Sequence, residues 1–379
     1  MESKSSQSAS SSPISVTGPR LRPKATMVII VLGILLWTAT PALYRQADSF
    51  IAPDGYRTPF QLSDDYWQYD MVGRQWVDEE RVLMLGDSVI WGEYVLPNES
   101  LPGQLNRDQE ELTFANGGVN GLHPLAMLGL VNHFLPTLQN QPVVVHCNLI
   151  WMSSPDRDLT TKSEIPFNHE SLVPQFSPTI PCYRATPSER LGNKVFQHTS
   201  LRPLVRHLRM LYLSGQDYQT WSLERARRER EGIENPPIHA VSRIPVDKLR
   251  HPDISWKERG IPQQNYNWVP LEKSLQWWAF RETVMLLESR GCDVYVIIGP
   301  FNKHLLAAEN RTDWEHMRHK VSEWLETHEI AYDAPTILSS KLYADASHPL
   351  EQGYQELSHE ILRAPNFQDW LKRNSQQTR

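Results

Sequence analysis

The sequence predicts an α/β sandwich built around a mostly parallel sheet. Short apolar runs typical of buried parallel strands recur along the chain, and each is followed by a segment with the length and pattern of a helix. The composition of the 379 residues agrees with a packed globular protein, because 40% are hydrophobic and 22% are charged. Global disorder is therefore excluded.

Five strands and five helices are expected on this basis. The expected strands cover residues 81–85, 114–115, 142–147, 293–299 and 330–332. The expected helices cover residues 99–109, 124–135, 271–289, 312–327 and 350–362. Strands and helices alternate at both ends of this region, which indicates one domain over residues 81–379.

Residues 155–270 interrupt the alternation and are interpreted as an insertion or lid. They are rich in Pro and Arg, with helical patterns near 200–213 and 219–231. Arginines and glutamates alternate in the second of these, which favours a solvated face with ion pairs; a site for an anionic polymer is the alternative.

An apolar segment near the N-terminus predicts a membrane anchor. Residues 1–26 are rich in Ser and polar, and are expected to be a disordered tail. Residues 27–44 are apolar, and about 18 helical residues span ~27 Å, enough for a bilayer core. Arg20, Arg22 and Lys24 precede the segment. By the positive-inside rule the tail is cytoplasmic and the main domain is extracytoplasmic, in the periplasm.

Two other interpretations of this segment stay open. Thr40-Pro41-Ala42 loosely fits a signal-peptidase site, which would release a secreted protein. A buried core helix is the third interpretation, although no polar face interrupts the run. Residues 45–80 are expected to form a linker or stem.

Charge and cysteine content exclude several classes of function. The net charge of −6 provides no basic footprint for nucleic acid. The three cysteines are too few and too scattered for a disulfide framework or a CxxC-type zinc site, although one disulfide bond is possible. No cluster has metal-ligand spacing, so neither a metal nor a cofactor is expected.

The strongest functional signal is Gly86-Asp87-Ser88-Val89, directly after the first strand. A serine on a turn at the carboxyl end of a parallel strand projects its hydroxyl into the crevice where open α/β sheets place their sites. Gly86 permits the sharp turn. Ser88 is therefore a candidate nucleophile.

A second signal, Asp345-Ala346-Ser347-His348, precedes the last expected helix. Asp345 and His348 are close enough in sequence to pair, so that the carboxylate fixes the imidazole tautomer. Together with Ser88 they make a candidate triad in the order Ser, Asp, His.

Serine chemistry also needs donors for an oxyanion. The candidates are the backbone N–H groups of Ser88 and Gly121 and the side-chain amide of Asn148. Gly121 ends the Asn116–Gly121 loop after the second strand, and Asn148 follows the third strand. Structural roles, as a turn glycine and as a cap of the strand end, are the alternatives for Gly121 and Asn148.

These segments, in this order, resemble the four blocks of the SGNH (GDSL-type) hydrolase superfamily. The resemblance covers about 81–150 and 290–363. It implies a flavodoxin-like three-layer α/β/α sandwich that hydrolyses or transfers acyl esters. It assigns the nucleophile to Ser88, the base to His348, its partner to Asp345 and an oxyanion donor to Gly121.

The third block departs from the family pattern, which usually has Gly-x-Asn-Asp. This chain has His146-Cys147-Asn148-Leu149, without the flanking Gly and the following Asp. Asn148 is still the expected third donor, with His146 as a competitor for the role. Asn302, after the fourth strand, lies at the same sheet edge and is a candidate substrate contact; a plain turn is the alternative for this segment.

A single anchor before such a domain also resembles proteins that O-acylate cell-surface polysaccharides. The expected function is an extracytoplasmic esterase or O-acyltransferase acting on cell-envelope or carbohydrate esters, or on a small ester. The alternative is a non-catalytic SGNH-like protein that binds glycan or recruits a membrane acyltransferase as its partner.

Overall fold

The structure is a computed structural model that describes residues 23–48, 50–110, 112–213, 216, 218–233 and 253–377. The predicted tail up to residue 22 and part of the predicted insertion, residues 234–252, lie outside the described residues. The chain divides after Gln46 into two compact units.

The first unit contains helix α1, Pro23–Ala47. Its 25 residues make it long and apolar enough to cross a membrane. The helix begins at Pro23, so residues 23–26 belong to it and not to the predicted tail. Proline is well tolerated in a first helical turn because the N–H it lacks would have no partner there.

The second unit is built on a five-stranded sheet with the order β2-β1-β3-β4-β5. The strands are β1 Val82–Gly86, β2 Phe114–Gly118, β3 Pro142–Cys147, β4 Asp293–Ile298 and β5 Ala331–Asp333. All four pairings are parallel, as the sequence predicted. The chain crosses from one side of β1 to the other after β2, so the sheet has its switch point between β1 and β3.

Helices cover both faces of this sheet. The helices of this unit are α2 Tyr66–Asp78, α3 Ser88–Trp91, α4 Leu101–Asp108, α5 Pro124–Phe134, α6 Pro187–His198, α7 Leu201–Tyr212, α8 Tyr218–Arg230, α9 Leu275–Ser289, α10 Ala308–Thr327, α11 Glu351–Arg363 and α12 Pro365–Gln377.

Alternate residues of each strand supply the two cores. Leu83 and Leu85 of β1 join a cluster with α2, α5, α9 and α10, whereas Val82 and Met84 join a cluster with α3, α4, α11 and α12. Side chains alternate between the faces of a strand, and each fully buried aliphatic side chain contributes about 1.5–3 kcal/mol. The two cores fix where the carboxyl ends of the strands lie.

Four helices were not predicted: α2, α3, α6 and α12. Helix α2 lies within the expected 45–80 linker, capped by the Asp65 carboxylate, which accepts from the Gln68 N–H. Its aromatic face packs in the core through Tyr66, Tyr69 and Trp76. Helix α12 follows the helix predicted to be the last.

Several predicted boundaries were wrong, among them the start of α10, which begins at Ala308 and not at residue 312. Strand β2 continues to Gly118, into what the sequence indicated was a loop. Gly118 pairs with Gly86 of β1. A glycine is required at this strand position because a Cβ on Gly118 would lie 2.3 Å from the backbone nitrogen of Trp91. Helix α9 starts only at Leu275, because Ser274 caps it by accepting from the Trp277 N–H.

The described part of the insertion contributes no strand to the sheet. Its helix α8 buries none of its side chains, and it carries the i,i+4 pairs Arg225–Glu229 at 3.9 Å and Arg227–Glu231 at 3.8 Å. This is the solvated, ion-paired face that the charge pattern favoured. The three cysteines are free and buried, so the possible disulfide is not formed.

Candidate active site

Ser88 lies at the first turn of α3, immediately beyond the carboxyl end of β1. The Asp87 side chain caps the helix by accepting from the Val89 N–H at 3.0 Å. Helix α3 ends at Gly92, whose φ of 87° is in the left-handed region that favours glycine. The four-residue helix therefore holds Ser88 at the sheet edge.

The structure brings Ser88, His348 and Asp345 together across a sequence separation of 260 residues. The Nε2 atom of His348 lies 2.7 Å from the Ser88 Oγ. Its Nδ1 atom lies 2.8 Å from both carboxylate oxygens of Asp345. With the proton on Nδ1, the free Nε2 lone pair accepts the serine hydroxyl proton, which is the arrangement of an activated nucleophile.

The loop before α11 fixes Asp345 by its own backbone. The Oδ1 atom of Asp345 accepts the backbone N–H groups of Ser347 and His348, each at 3.0 Å. From the other side, the Asn302 side chain donates to the Asp345 carbonyl oxygen at 2.9 Å. These hydrogen bonds fix the position of the Asp345 carboxylate independently of the imidazole ring.

The charges around His348 favour its protonated form. Burial lowers its pKa, but the Asp345 carboxylate, with smaller contributions from Glu93 and Asp87, outweighs burial and raises the pKa to about 9. Glu93 is the nearest carboxylate on the other side of the ring, with its Oε2 atom 3.4 Å from Nε2. In Asp345 the effect of burial is outweighed by the charge of His348, which lowers the pKa of the carboxyl.

Tyr94 closes the far side of the pair. Its hydroxyl donates to Asp345 Oδ2 at 3.3 Å, and its ring meets the His348 ring edge-on with centroids 5.5 Å apart. The guanidinium of Arg259, from the insertion, stacks over Tyr94 at 4.4 Å. The insertion thus contacts the residues around the candidate triad.

Asp87 is the centre of a second, buried polar cluster next to the nucleophile. Its Oδ2 atom accepts from the Asn148 amide at 2.7 Å and from the Trp151 indole N–H at 2.8 Å. His146 Nδ1 lies 3.3 Å from Oδ1. Burial raises the pKa of Asp87, but His146 and the Val89 N–H outweigh it and lower the pKa to about 2. Asp87 is therefore an ionised carboxylate below the candidate nucleophile.

This cluster gives Asn148 a structural role. One of its two amide N–H groups donates to Asp87, and its oxygen accepts from the Ile150 N–H at 3.1 Å. The side chain therefore caps the turn after β3, which is the structural alternative named above. The role of its second amide N–H as an oxyanion donor stays a prediction. His146 is buried against Asp87.

Substrate contact by Asn302 stays a prediction, and the structure gives its side chain a role at the Asp345 loop. Its side chain is 0% exposed and binds the backbone of the Asp345 loop. Its backbone N–H also donates to the Ala346 carbonyl at 2.8 Å. Asn302 is therefore a positioning residue for Asp345.

Replacement of Asn148 by alanine is expected to act mainly on stability. The variant leaves a buried, ionised Asp87 with one partner fewer, which costs about 1–3 kcal/mol of unfolding free energy. Chemical denaturation followed by tryptophan fluorescence measures this loss. An unchanged unfolding free energy together with a fall in kcat of about 100-fold would instead identify Asn148 as an oxyanion donor.

Gly121 lies in the loop after β2 with a φ of 70°. Beside this loop is a cavity of about 570 Å³. Polar side chains and two phenylalanines line it: Phe60, Ser63, Asp64, Asn120, Phe167, Asn168, His169, Glu170, Ser171, Asn193 and Arg206. Seven of these residues, 167–171, Asn193 and Arg206, belong to the predicted insertion. The insertion therefore forms one wall of a polar cavity next to the candidate oxyanion glycine.

The sequence analysis did not identify Glu93 and Tyr94 as residues of the site. It also did not identify Asp87 as the centre of a buried polar cluster. The first two follow Gly92, and nothing in their residue types marks them. Asp87 belongs to the Gly86-Asp87-Ser88 segment, but its partners come from residues 146–151, which only the sheet order brings near.

Neither a scan against protein-family models nor a search of the curated proteins gave a significant match to this chain.

Proposed function

We propose that this chain is a serine-dependent acyl-ester enzyme of the SGNH type, a hydrolase or an O-acyltransferase. The observation that carries the proposal is the 2.7 Å contact between Ser88 Oγ and His348 Nε2, with Asp345 on the other ring nitrogen. A serine hydroxyl is a weak nucleophile unless a positioned base removes its proton.

In the proposed reaction, Ser88 Oγ attacks the ester carbonyl carbon while His348 Nε2 takes the hydroxyl proton. The imidazolium, stabilised by Asp345, then gives that proton to the leaving alcohol. Water or a second alcohol attacks the acyl-serine, again with His348 as base, and Ser88 is released. Backbone N–H groups of Ser88 and Gly121 are the proposed oxyanion donors.

The sheet supports an SGNH-type fold. The order 2-1-3-4-5 is that of flavodoxin-like domains, whose sites lie at the carboxyl ends of the strands. Ser88, Gly121 and Asn148 follow β1, β2 and β3, in the order in which the sequence blocks resemble the family.

The substrate is proposed to be an acylated carbohydrate of the cell envelope. The cavity beside Gly121 offers amide, carboxylate and guanidinium groups for hydroxyls, together with Phe60 and Phe167 for apolar faces. Helix α1 is the proposed single membrane anchor, with the basic residues before it in the cytoplasm and the enzyme domain in the periplasm. No metal or cofactor takes part in the proposed reaction.

Covalent trapping tests the proposal. The full-length chain in detergent is incubated with a fluorophosphonate, and peptide masses are compared with those of the untreated chain. We expect one adduct, on the peptide that contains Ser88. If the folded chain forms no adduct, the simple serine-enzyme proposal fails, and the alternative of a glycan-binding protein or a partner of a membrane acyltransferase replaces it.

A further inference from the structure

Glu93 occupies a distinctive place at the candidate site. Because Gly92 adopts a left-handed conformation, the chain folds back, and the backbone N–H groups of Gly92 and Glu93 both donate to the Ser88 carbonyl, at 2.8 and 3.1 Å. The Glu93 carboxylate consequently lies 3.4 Å from His348 Nε2, the nitrogen that faces the nucleophile.

Both side chains are partly exposed to solvent, that of Glu93 to 31% and that of His348 to 12%. The other charged or titratable groups around the ring occupy different directions: Asp345 is on Nδ1, Tyr94 is edge-on to the ring with Arg259 behind it, and Asp87 is buried. A small molecule that enters from solvent therefore meets Glu93 and Nε2 together.

Glu93 Oε2 and His348 Nε2 lie 3.4 Å apart, close enough to bind one small molecule together. A single oxygen that forms two hydrogen bonds of about 2.8 Å can bridge two atoms up to ~5.6 Å apart. In the second half of the proposed reaction, His348 Nε2 is a base and accepts a proton. An ionised carboxylate only accepts hydrogen bonds. A molecule held by both must therefore present two hydrogen-bond donors, and water and polyols supply both from O–H groups.

We propose that Glu93 is the acceptor-binding residue of the proposed reaction, and that it selects an acyl acceptor with two O–H groups, either water or a polyol such as a sugar. This inference rests on the proposed serine mechanism. One O–H donates to Nε2 and belongs to the attacking oxygen. The other donates to the Glu93 carboxylate and orients the molecule.

The step balances without any further reactant. The acceptor oxygen forms a bond to the acyl carbon as its proton passes to His348 Nε2. The bond between the acyl carbon and Ser88 Oγ then breaks, and Ser88 Oγ takes the proton from Nε2. Glu93 contributes orientation and not a proton.

The test separates the two halves of the reaction in the full-length chain in detergent. Stopped-flow turnover of p-nitrophenyl acetate gives the burst for acylation and the steady-state rate for deacylation. Glycerol and methanol, at equal hydroxyl concentration, provide a polyol and an alcohol with one O–H. Glu110→Gln, at an exposed site away from the triad, is the matched control for loss of a carboxylate.

For Glu93→Ala, we expect a burst rate within about threefold of that of the unmodified chain and a deacylation rate about 10- to 100-fold lower, the effect of losing one charged hydrogen bond. Glu93→Gln keeps an acceptor oxygen without the charge, so its deacylation rate should lie between those of the unmodified chain and of Glu93→Ala. The preference for glycerol over methanol should be strongest in the unmodified chain, weaker in Glu93→Gln and weakest in Glu93→Ala. Acetylglycerol among the products identifies a polyol acceptor, and acetate alone identifies water.

Equal losses in burst and steady state would overturn the inference, because they would show a general disturbance of the site. Unchanged deacylation in both Glu93 variants would overturn it as well. These outcomes differ from failure of the proposed function, in which the unmodified chain itself shows neither a burst nor an adduct on Ser88.

Discussion

A Ser88→Ala chain is expected to lose turnover of p-nitrophenyl acetate by about 10⁴-fold or more, together with all fluorophosphonate labelling. Alanine removes the hydroxyl oxygen that lies 2.7 Å from His348 Nε2. The surrounding contacts do not depend on the hydroxyl, since Asp87 caps α3 through the Val89 N–H. The rate is measured with full-length protein after its thermal unfolding has been compared with that of the unmodified chain.

Ser289→Ala is the matched control, because Ser289 is an exposed serine at the end of α9. It should label and turn over at the normal rate. Retention of turnover within about tenfold in Ser88→Ala would show that another group performs the chemistry, and the proposed mechanism would have to be abandoned.

Asp345→Asn is expected to lower kcat/KM by a factor on the order of 10⁴. An asparagine amide turned toward Nδ1 donates to it, which moves the imidazole proton to Nε2, where it can no longer accept the Ser88 proton. The loop can keep its shape, since the side-chain oxygen still accepts the backbone N–H groups of Ser347 and His348. Activity should therefore fall far more than stability does.

The pH profile provides a second measurement on the same variant. His348 acts only as the neutral imidazole, and its raised pKa of about 9 means that activity falls as the pH drops below that value. Without the Asp345 charge the pKa of His348 decreases, so the acid limb should move to lower pH as the maximum rate collapses. The profile of kcat/KM from pH 6 to 10 shows both effects.

Asp369→Asn, at an exposed site on α12, controls for the loss of one negative charge. It should leave the profile unchanged. An Asp345→Asn chain with normal kcat/KM at pH 9 would contradict the role given to the carboxylate.

The strands were predictable because their signal is local. The run of valines in β3 and the apolar run in β1 are buried on both faces, as residues in a parallel sheet must be. The glycines of β2 misled the prediction, since glycine usually indicates a turn. In the fold, Gly118 is needed for the contact with the backbone of Trp91, and a long-range contact of this kind leaves no local pattern.

The candidate triad was predictable for a similar reason. Each of its members follows a strand or precedes a helix, and parallel strands bring such ends to one edge. The partners of Asn148 and Asn302 were not predictable, because side-chain amides bind whichever neighbour the packing provides. Asn148 binds the buried carboxylate of Asp87, and Asn302 binds the backbone of the Asp345 loop.

The large separation between Ser88 and His348 has a consequence for the newly made chain. A ribosome completes α1 and the Ser88 turn long before residues 345–348 exist, at about 5–20 residues per second. Until that late segment is synthesised and packs beside Ser88, the proposed base His348 is absent and the Ser88 hydroxyl is an ordinary alcohol. If the proposed mechanism holds, an unfinished chain, or one cut before residue 345, does not react with esters through Ser88. Reactivity would then report that the C-terminal segment has folded against the Ser88 turn.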